Sequence, residues 1–370
     1  MSKLFLRIDP PYEFEKTLQY DSDTKSVVNK INTVREKNHC GENLQFKGKW
    51  DNVFQREEIG NTVINSINKI LPFSPDEKFS PAIKNLKTKG YANLPEKNFS
   101  RDEIEDVLQY LEKKKLFPSP VAHRSLEPPS TKNVLKNGHE PFGSYDIQTI
   151  LRSSILAKLV GDEDIINLIG TYFGCLPTLC NTNLYWSFLR SNSHSSGPQH
   201  FHRDADDYRI INIYVNLTDS SENDGAYCHI ENTHNLKQAS KSFNNKRGST
   251  LPDKLNPLGR PLTPEDLFEL PLKGYGFDQL YGHLFKDNIK QIFGPAGTVR
   301  CADGYGLHRA IPPNSHDRLL FWMTYSLTRT STGTIGVPHQ KRVPYSKVQQ
   351  HIKDTSLNKY VLRNTIDFRK

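Results

Sequence analysis

The hydrophobic positions change period part-way along the chain. Over residues 144–173 they recur at helix spacing: Ile147, Ile150, Leu151, Ile155 and Leu156, followed by Leu159, Ile165, Ile166 and Ile169. From residue 183 the period becomes two. Residues 183–190 predict a strand, and 210–218 predict a clearer one, with Ile211, Ile213, Val215 and Leu217 on one face and Asn212, Tyr214, Asn216 and Thr218 on the other. Residues 318–327 repeat the pattern: Leu319, Phe321, Met323, Tyr325 and Leu327 oppose Arg318, Leu320, Trp322, Thr324 and Ser326. Strands with one greasy face and one mixed polar face suit a sandwich or barrel whose lumen carries the chemistry.

The flanking segments read differently. Residues 1–135 are polar and lysine-rich, with helical pieces such as the one opened by Ser100-Arg101-Asp102-Glu103, where the serine suits the cap and the acids suit the helix N-terminus. Residues 117–132, punctuated by Pro118, Pro120, Pro128 and Pro129, predict an extended connection. The expected organisation is therefore an N-terminal extension over 1–135 that packs on or lids the core, a β-rich domain over 136–335 and a basic, peripheral tail over 336–370. Within the domain, 236–292 form a long excursion, helical in part, in which Thr263-Pro264-Glu265-Asp266 reads as a helix start. The fold class is a mostly β core with flanking helices (α+β).

Composition narrows the setting. Apolar residues make up 35% of the 370 residues and charged residues 24%, and no stretch approaches the roughly 18 consecutive apolar residues of a spanning helix. The N-terminal patch is broken at once by Arg7, Asp9 and two prolines and lacks the form of a secretory signal, so the expectation is a cytoplasmic protein. Five cysteines (Cys40, Cys175, Cys180, Cys228, Cys301) without CxxC spacing predict free, mostly buried thiols. The net charge of +8 raises nucleic acid as a partner, but the lysines are scattered and the tightest run, Lys113-Lys114-Lys115, reads as a solvated face; no nucleic-acid partner is expected. The oligomeric state is left open.

Candidate chemistry concentrates in two segments. In Gln199-His200-Phe201-His202-Arg203-Asp204, an extended backbone would turn His202 and Asp204 to one side. Two histidines and one carboxylate on one face of a metal leave the opposite positions open, the arrangement of ferrous oxygenases that bind a cosubstrate and O₂ together. A lone HxD is a weak signal among 13 histidines. The second segment strengthens it: a glycine-rich turn at 294–298 leads into a strand, His308 follows, and after the turn Pro312-Pro313-Asn314-Ser315-His316-Asp317 a return strand begins at Arg318. A tight antiparallel return would bring Arg318 back beside the metal. Its planar fork suits the distal carboxylate of a 2-oxoacid.

At these residues the chain resembles the phytanoyl-CoA dioxygenase family. The resemblance rests on the HRD triplet at 202–204 and the acids after it, the strand IINIYVNLTD, the approximate GxxxHIxxTH at 225–234, the GPAGT segment, and GLHRA…P…R ending at Arg318. It spans about residues 145–330. It implies a double-stranded β-helix (jelly-roll) core, Fe(II), 2-oxoglutarate and O₂ as cosubstrates, and oxidation of a small organic substrate. Matched residue by residue, it implies His202, Asp204 and His308 as metal ligands and Arg318 as the 2-oxoglutarate arginine, with Gln199 as a cosubstrate contact. Because Asp204 is present, hydroxylation is expected rather than halogenation, which needs that ligand position for halide. Two departures, Asn232-Thr233-His234 where the family shows GSH and the long excursion before GPAGT, bear on the substrate rather than on iron.

Other readings use the same residues. A cupin-type metalloenzyme would take His200 with His202 as an HxH pair, although Asp206 and Asp207 stand where it would want a glutamate. The HRD of protein kinases is set aside, because Arg209 replaces the required asparagine and no DFG follows. A catalytically silent jelly-roll used for binding is a third reading. Asn183, Tyr185, Asn212, Tyr214 and Trp322 are candidate lumen residues, and they leave the substrate open.

Overall fold

The computed structural model describes residues 50–122, 125–190, 197–204, 207–222, 224–246, 277–327 and 342–370, with isolated positions in 22–33 and 262–270. Cys40, Asp206 and most of residues 1–49 and 247–276 lie outside this set.

Eleven strands are described: β1 (Tyr91–Asn93), β2 (Phe142–Tyr145), β3 (Thr178–Ser187), β4 (Ile210–Asn216), β5 (Tyr227–Ile230), β6 (Ile289–Ile292), β7 (Val299–Asp303), β8 (His308–Ala310), β9 (Arg318–Ser326), β10 (Val343–Pro344) and β11 (Ile366–Asp367). Six of them form an antiparallel sheet in the order β1-β7-β4-β9-β3-β2, and three form a smaller sheet in the order β6-β5-β8. An isolated antiparallel bridge between His202 and His308 extends the small sheet by one position. The chain thus passes from large sheet (β3) to small (His202), to large (β4), to small (β5, β6), to large (β7), to small (β8) and back to large (β9). That alternation is the winding of a double-stranded β-helix, a jelly roll.

The two-residue period assigns the faces. Ile211, Ile213 and Val215 of β4, Val299 and Cys301 of β7, and Leu319, Phe321 and Met323 of β9 enter the main core with Ile150, Leu151, Ile165, Ile166 and Ile169 of the helices Ile147–Arg152 and Glu163–Phe173. Each fully buried side chain of this size contributes about 1.5–3 kcal/mol. The opposite, mixed face turns into the space between the sheets, where Phe142, Tyr185, Tyr214, Tyr227, Ile292, Ala302 and Leu320 cluster, with Trp322 packed against them.

Residues on the N-terminal side of the jelly roll take part in its framework. The helix Arg101–Leu111 begins at a capping box between Ser100 and Glu103, as its sequence predicts, and buries Ile104, Val107 and Leu111 in the main core. Strand β1 adds an edge to β7. The described parts of the connection expected from these prolines, residues 117–122 and 125–131, are pinned by the bridges Leu116–Ser130 and Phe117–Ser144, and the helix Lys132–Asn137 follows. The expectation of a peripheral tail fails for residues 342–370. Val343, Val348, Ile352, Tyr360, Val361, Leu362 and Ile366 sit in the main core, because the apolar positions between the basic residues all turn inward.

In the excursion, the helices Leu236–Lys246 and Asp278–Leu284 supply Leu236, Phe243, Leu280, Tyr281 and Leu284 to a second core. That core covers the outer face of the small sheet (Phe201, Cys228, Ile230, Leu307). Thr263 and Asp266 exchange the backbone and side-chain hydrogen bonds of a helix cap, in line with the helix start read from sequence. Cys175, Cys180, Cys228 and Cys301 are buried thiols outside any disulfide. Among the described residues no helix is long and apolar enough to cross a membrane.

Candidate metal centre

His202 and His308 face each other across the backbone bridge, each accepting the other's N–H at 3.0 Å. Directly paired residues project to the same side of a sheet, so both imidazoles enter the lumen with ring centroids 4.3 Å apart. Asp204 follows two residues after His202. Its N–H donates to the Gly304 carbonyl at 2.8 Å, and its carboxylate lies 3.8 Å from His202 Nε2 and 3.7 Å from His308 Nε2. One ligand atom from each of the three residues lies within 4.8 Å of the others. Donors about 2.1 Å from a common ion and at right angles are about 3 Å apart, so a small inward movement completes a facial set.

Each ring is held in the tautomer a metal requires. Nδ1 of His202 is 2.8 Å from the His200 carbonyl, and Nδ1 of His308 is 2.9 Å from the Gly306 carbonyl. A carbonyl only accepts, so Nδ1 carries the proton and Nε2 presents its lone pair to the lumen. Burial, and then the neighbouring His308, hold the His202 imidazole down at about 4. It is therefore neutral near pH 7 and available as a ligand.

The carboxylate is oriented as well. Asn212 of β4 donates from Nδ2 to Asp204 Oδ2 at 2.7 Å, while its own Oδ1 accepts from Thr324 Oγ1 at 2.7 Å and Trp322 Nε1 at 3.2 Å. Gly304 leaves the room this requires: a Cβ there would lie 2.8 Å from Asp204 Oδ2 and 3.0 Å from Asn212 Nδ2. Arg203, between the two ligands in sequence, points the other way and donates to the carbonyls of Thr233 and Tyr305, which fastens the HRD segment to its surroundings.

Arg318 projects into the same lumen, by a different route from the one its spacing suggests. Strands β8 and β9 belong to different sheets, so the segment between His308 and Arg318 crosses the barrel instead of returning as a hairpin. The guanidinium is buried; it donates to the Gly225 carbonyl at 2.7 Å, Tyr185 Oη at 3.3 Å and Ser187 Oγ at 3.4 Å. Gly225 has φ of 71°, and a Cβ on it would lie 2.8 Å from Arg318 Cδ. Glycine serves there both for the backbone and for the arginine stem. Asp224, its neighbour, accepts from Asn314 N at 2.6 Å, from Ser315 N at 3.2 Å and from Ser315 Oγ, which holds the turn ahead of Arg318.

The other expected residues separate. His200 does not join the cluster: Nδ1 lies 2.6 Å from Asp278 Oδ2, a carboxylate that also receives Phe201 N and Arg309. The cupin-type pairing of His200 with His202 is not formed, because His200 lies in a bend directly after the 3-10 turn Gly197–Gln199 and before the bridge at His202. Gln199 is buried at the end of that turn, which packs beside β8. Tyr185 and Tyr214 line the lumen as expected, whereas Asn183 is engaged with the Pro120 carbonyl at 2.5 Å. Among the lumen residues, His229 entered the sequence reading only as the first histidine of the 225–234 motif, and Arg300 was not singled out. The alternation of β7, with Val299 and Cys301 apolar, already puts Arg300 on the lumen side.

No protein-family model matches the chain, and no curated protein matches it. Solved structures similar to it include the epimerase SnoN in complex with Fe3+, alpha ketoglutarate and nogalamycin RO (14% identity over 67% of this chain and 83% of that one, TM-score 0.42). HygX from Streptomyces hygroscopicus with nickel and 2-oxoglutarate is also similar (14%, 66% and 86%, TM-score 0.40), as is EctD from S. alaskensis with 2-oxoglutarate and 5-hydroxyectoine (14%, 67% and 75%, TM-score 0.42).

Proposed function

We propose that the chain is an Fe(II)- and 2-oxoglutarate-dependent oxygenase that hydroxylates a small organic substrate and releases succinate and CO₂. The observation that carries this reading is the convergence of His202, Asp204 and His308 in the lumen, with both imidazoles held in the ligating tautomer. The motifs shared with the phytanoyl-CoA dioxygenase family agree with it, as do the ligands named for SnoN, HygX and EctD.

Iron bound by this set would supply the activation of O₂ that is coupled to decarboxylation of the 2-oxoacid and oxidation of a substrate C–H bond. The chain's own residues hold, orient and exclude. His202 and His308 offer neutral Nε2 atoms. Asp204 fills the third protein position, which leaves no such position for halide and favours hydroxylation. Asn212 fixes the Asp204 carboxylate, so only the small inward movement of the three donors remains when iron binds. Arg318, aimed by Gly225, Tyr185 and Ser187, receives the distal carboxylate of 2-oxoglutarate, and Gln199 borders the same cosubstrate. Phe142, Tyr185, Tyr214 and Trp322 keep water from the lumen.

The test is a succinate-release screen over a metabolite panel with Fe(II), ascorbate and 2-oxoglutarate. Substrate-stimulated succinate, absent in His202→Ala and Asp204→Ala, is expected. Full turnover in either variant would overturn the ligand assignment.

A further inference from the structure

Arg300 is a buried cation that the metal centre does not use. It lies on the lumen face of β7 opposite Tyr214 of β4, and only 1% of its surface is exposed. One amino group donates to the Ile292 carbonyl at 2.6 Å, and neither Nε nor the second amino group has a partner. Arg318 is 4% exposed and likewise leaves Nε unpartnered. The two side chains converge on one end of the small sheet. Ile292 is the register partner of Tyr227 in β5, and Gly225, whose carbonyl Arg318 holds, lies two residues before Tyr227. Among the described residues the hydrogen bonds of both guanidiniums go to carbonyls and hydroxyls, never to a carboxylate.

Two buried like charges with spare N–H donors and no counter-charge are an unfavourable arrangement for a protein to keep without a ligand. Burial, and then the charge of Arg318, draw Arg300 down to about 10, which agrees with the two groups sharing one region of the lumen. At that value Arg300 remains charged at neutral pH. A carboxylate offers about four lone-pair positions and can accept from two guanidiniums at once.

We infer that Arg300 and Arg318 form one anion recess, in which two guanidiniums instead of one receive the terminal carboxylate of a dicarboxylate ligand. The inference rests on the reading of Arg318 as the cosubstrate arginine and adds Arg300 as a specificity-determining residue. The recess selects 2-oxoacids with a second carboxylate over those, such as 2-oxobutyrate, that end in a methyl group.

Succinate is the probe, bound to the metal-free full-length protein and followed by calorimetry and by thermal shift. Arg300→Met is expected to weaken succinate binding at least 10-fold and to abolish the succinate-induced rise in Tm. The ligand-free Tm of Arg300→Met should equal or exceed that of the wild type, because an uncompensated charge has been removed; a merely structural arginine would give the opposite sign. Arg300→Lys, which keeps the charge in the event that methionine packs badly, should retain part of the affinity. Succinate affinity within twofold of wild type in folded Arg300→Met or Arg300→Lys, alongside loss in Arg318→Met, overturns the inference. Succinate binding that depends on both arginines, in a protein that never releases succinate from 2-oxoglutarate, upholds the recess and contradicts the oxygenase reading.

Discussion

Asn212 donates to Asp204 across the interior of the barrel at 2.7 Å, and this one contact joins the large sheet to the carboxylate of the candidate metal centre. The amide cannot turn over without losing Thr324 and Trp322, both of which donate to its Oδ1. Asn212→Leu removes the orienting donor and leaves those two donors to find other partners. The expected result is an Fe(II) affinity about 10–100-fold weaker by competition with a chelator, in a protein destabilised by about 1–3 kcal/mol in urea unfolding. Unchanged iron affinity would show that Asp204 needs no such support.

Gly304 is the steric counterpart of that contact. Its would-be Cβ meets Asp204 Oδ2 at 2.8 Å, Ile210 Cγ2 at 2.9 Å and Asn212 Nδ2 at 3.0 Å. Gly304→Ala should push the carboxylate off the ligand face, lowering iron occupancy and costing about 1–3 kcal/mol of stability. Metal content of the purified variant and its denaturation midpoint check both effects.

Much of this centre is legible in the sequence. His202, Asp204, His308 and Arg318 stand at motif spacing, and the period-two pattern correctly assigns the lumen faces of β4 and β9. The faces of His200 and the path to Arg318 are not legible, for the same reason. Periodicity reports which side of a strand a residue occupies, but not where a strand begins or which sheet it joins. The 3-10 turn at Gly197–Gln199 and the crossing between β8 and β9 are decided by tertiary pairing. The inward packing of residues 342–370 escaped because charge dominates their composition while the few apolar side chains decide their burial. Arg300 was within reach, since the rule applied to 318–327 puts it on the lumen side of β7.

Arg318→Lys retains a charge and loses the fork that reaches Gly225, Tyr185 and Ser187 together. The apparent KM for 2-oxoglutarate should rise about 10-fold or more, with Fe(II) binding retained. An unchanged KM would count against a role in cosubstrate binding.

Asp224 gives the turn before Arg318 a pH dependence. Burial raises its carboxyl pKa, but hydrogen bonds from Ser315 Oγ and from the backbone of Asn314 and Ser315, with a contribution from His316, outweigh it and the net shift is downward. A native pKa below the unfolded value means that the stabilisation is present above about pH 4 and fades as the pH falls through the native value. Asp224→Asn should therefore be less stable than wild type at pH 7, and the two Tm curves should converge as the pH falls below 4. A Tm difference that is the same at pH 3 and pH 7 would rule out the carboxylate as its source.

The most direct measurement is the visible absorption of the protein with Fe(II) and 2-oxoglutarate under anaerobic conditions. A cosubstrate chelating iron held by His202, Asp204 and His308 gives a weak metal-to-ligand charge-transfer band, which should be absent in His308→Ala. Its absence in folded, iron-loaded wild-type protein would contradict the account and favour a jelly roll that binds without catalysing.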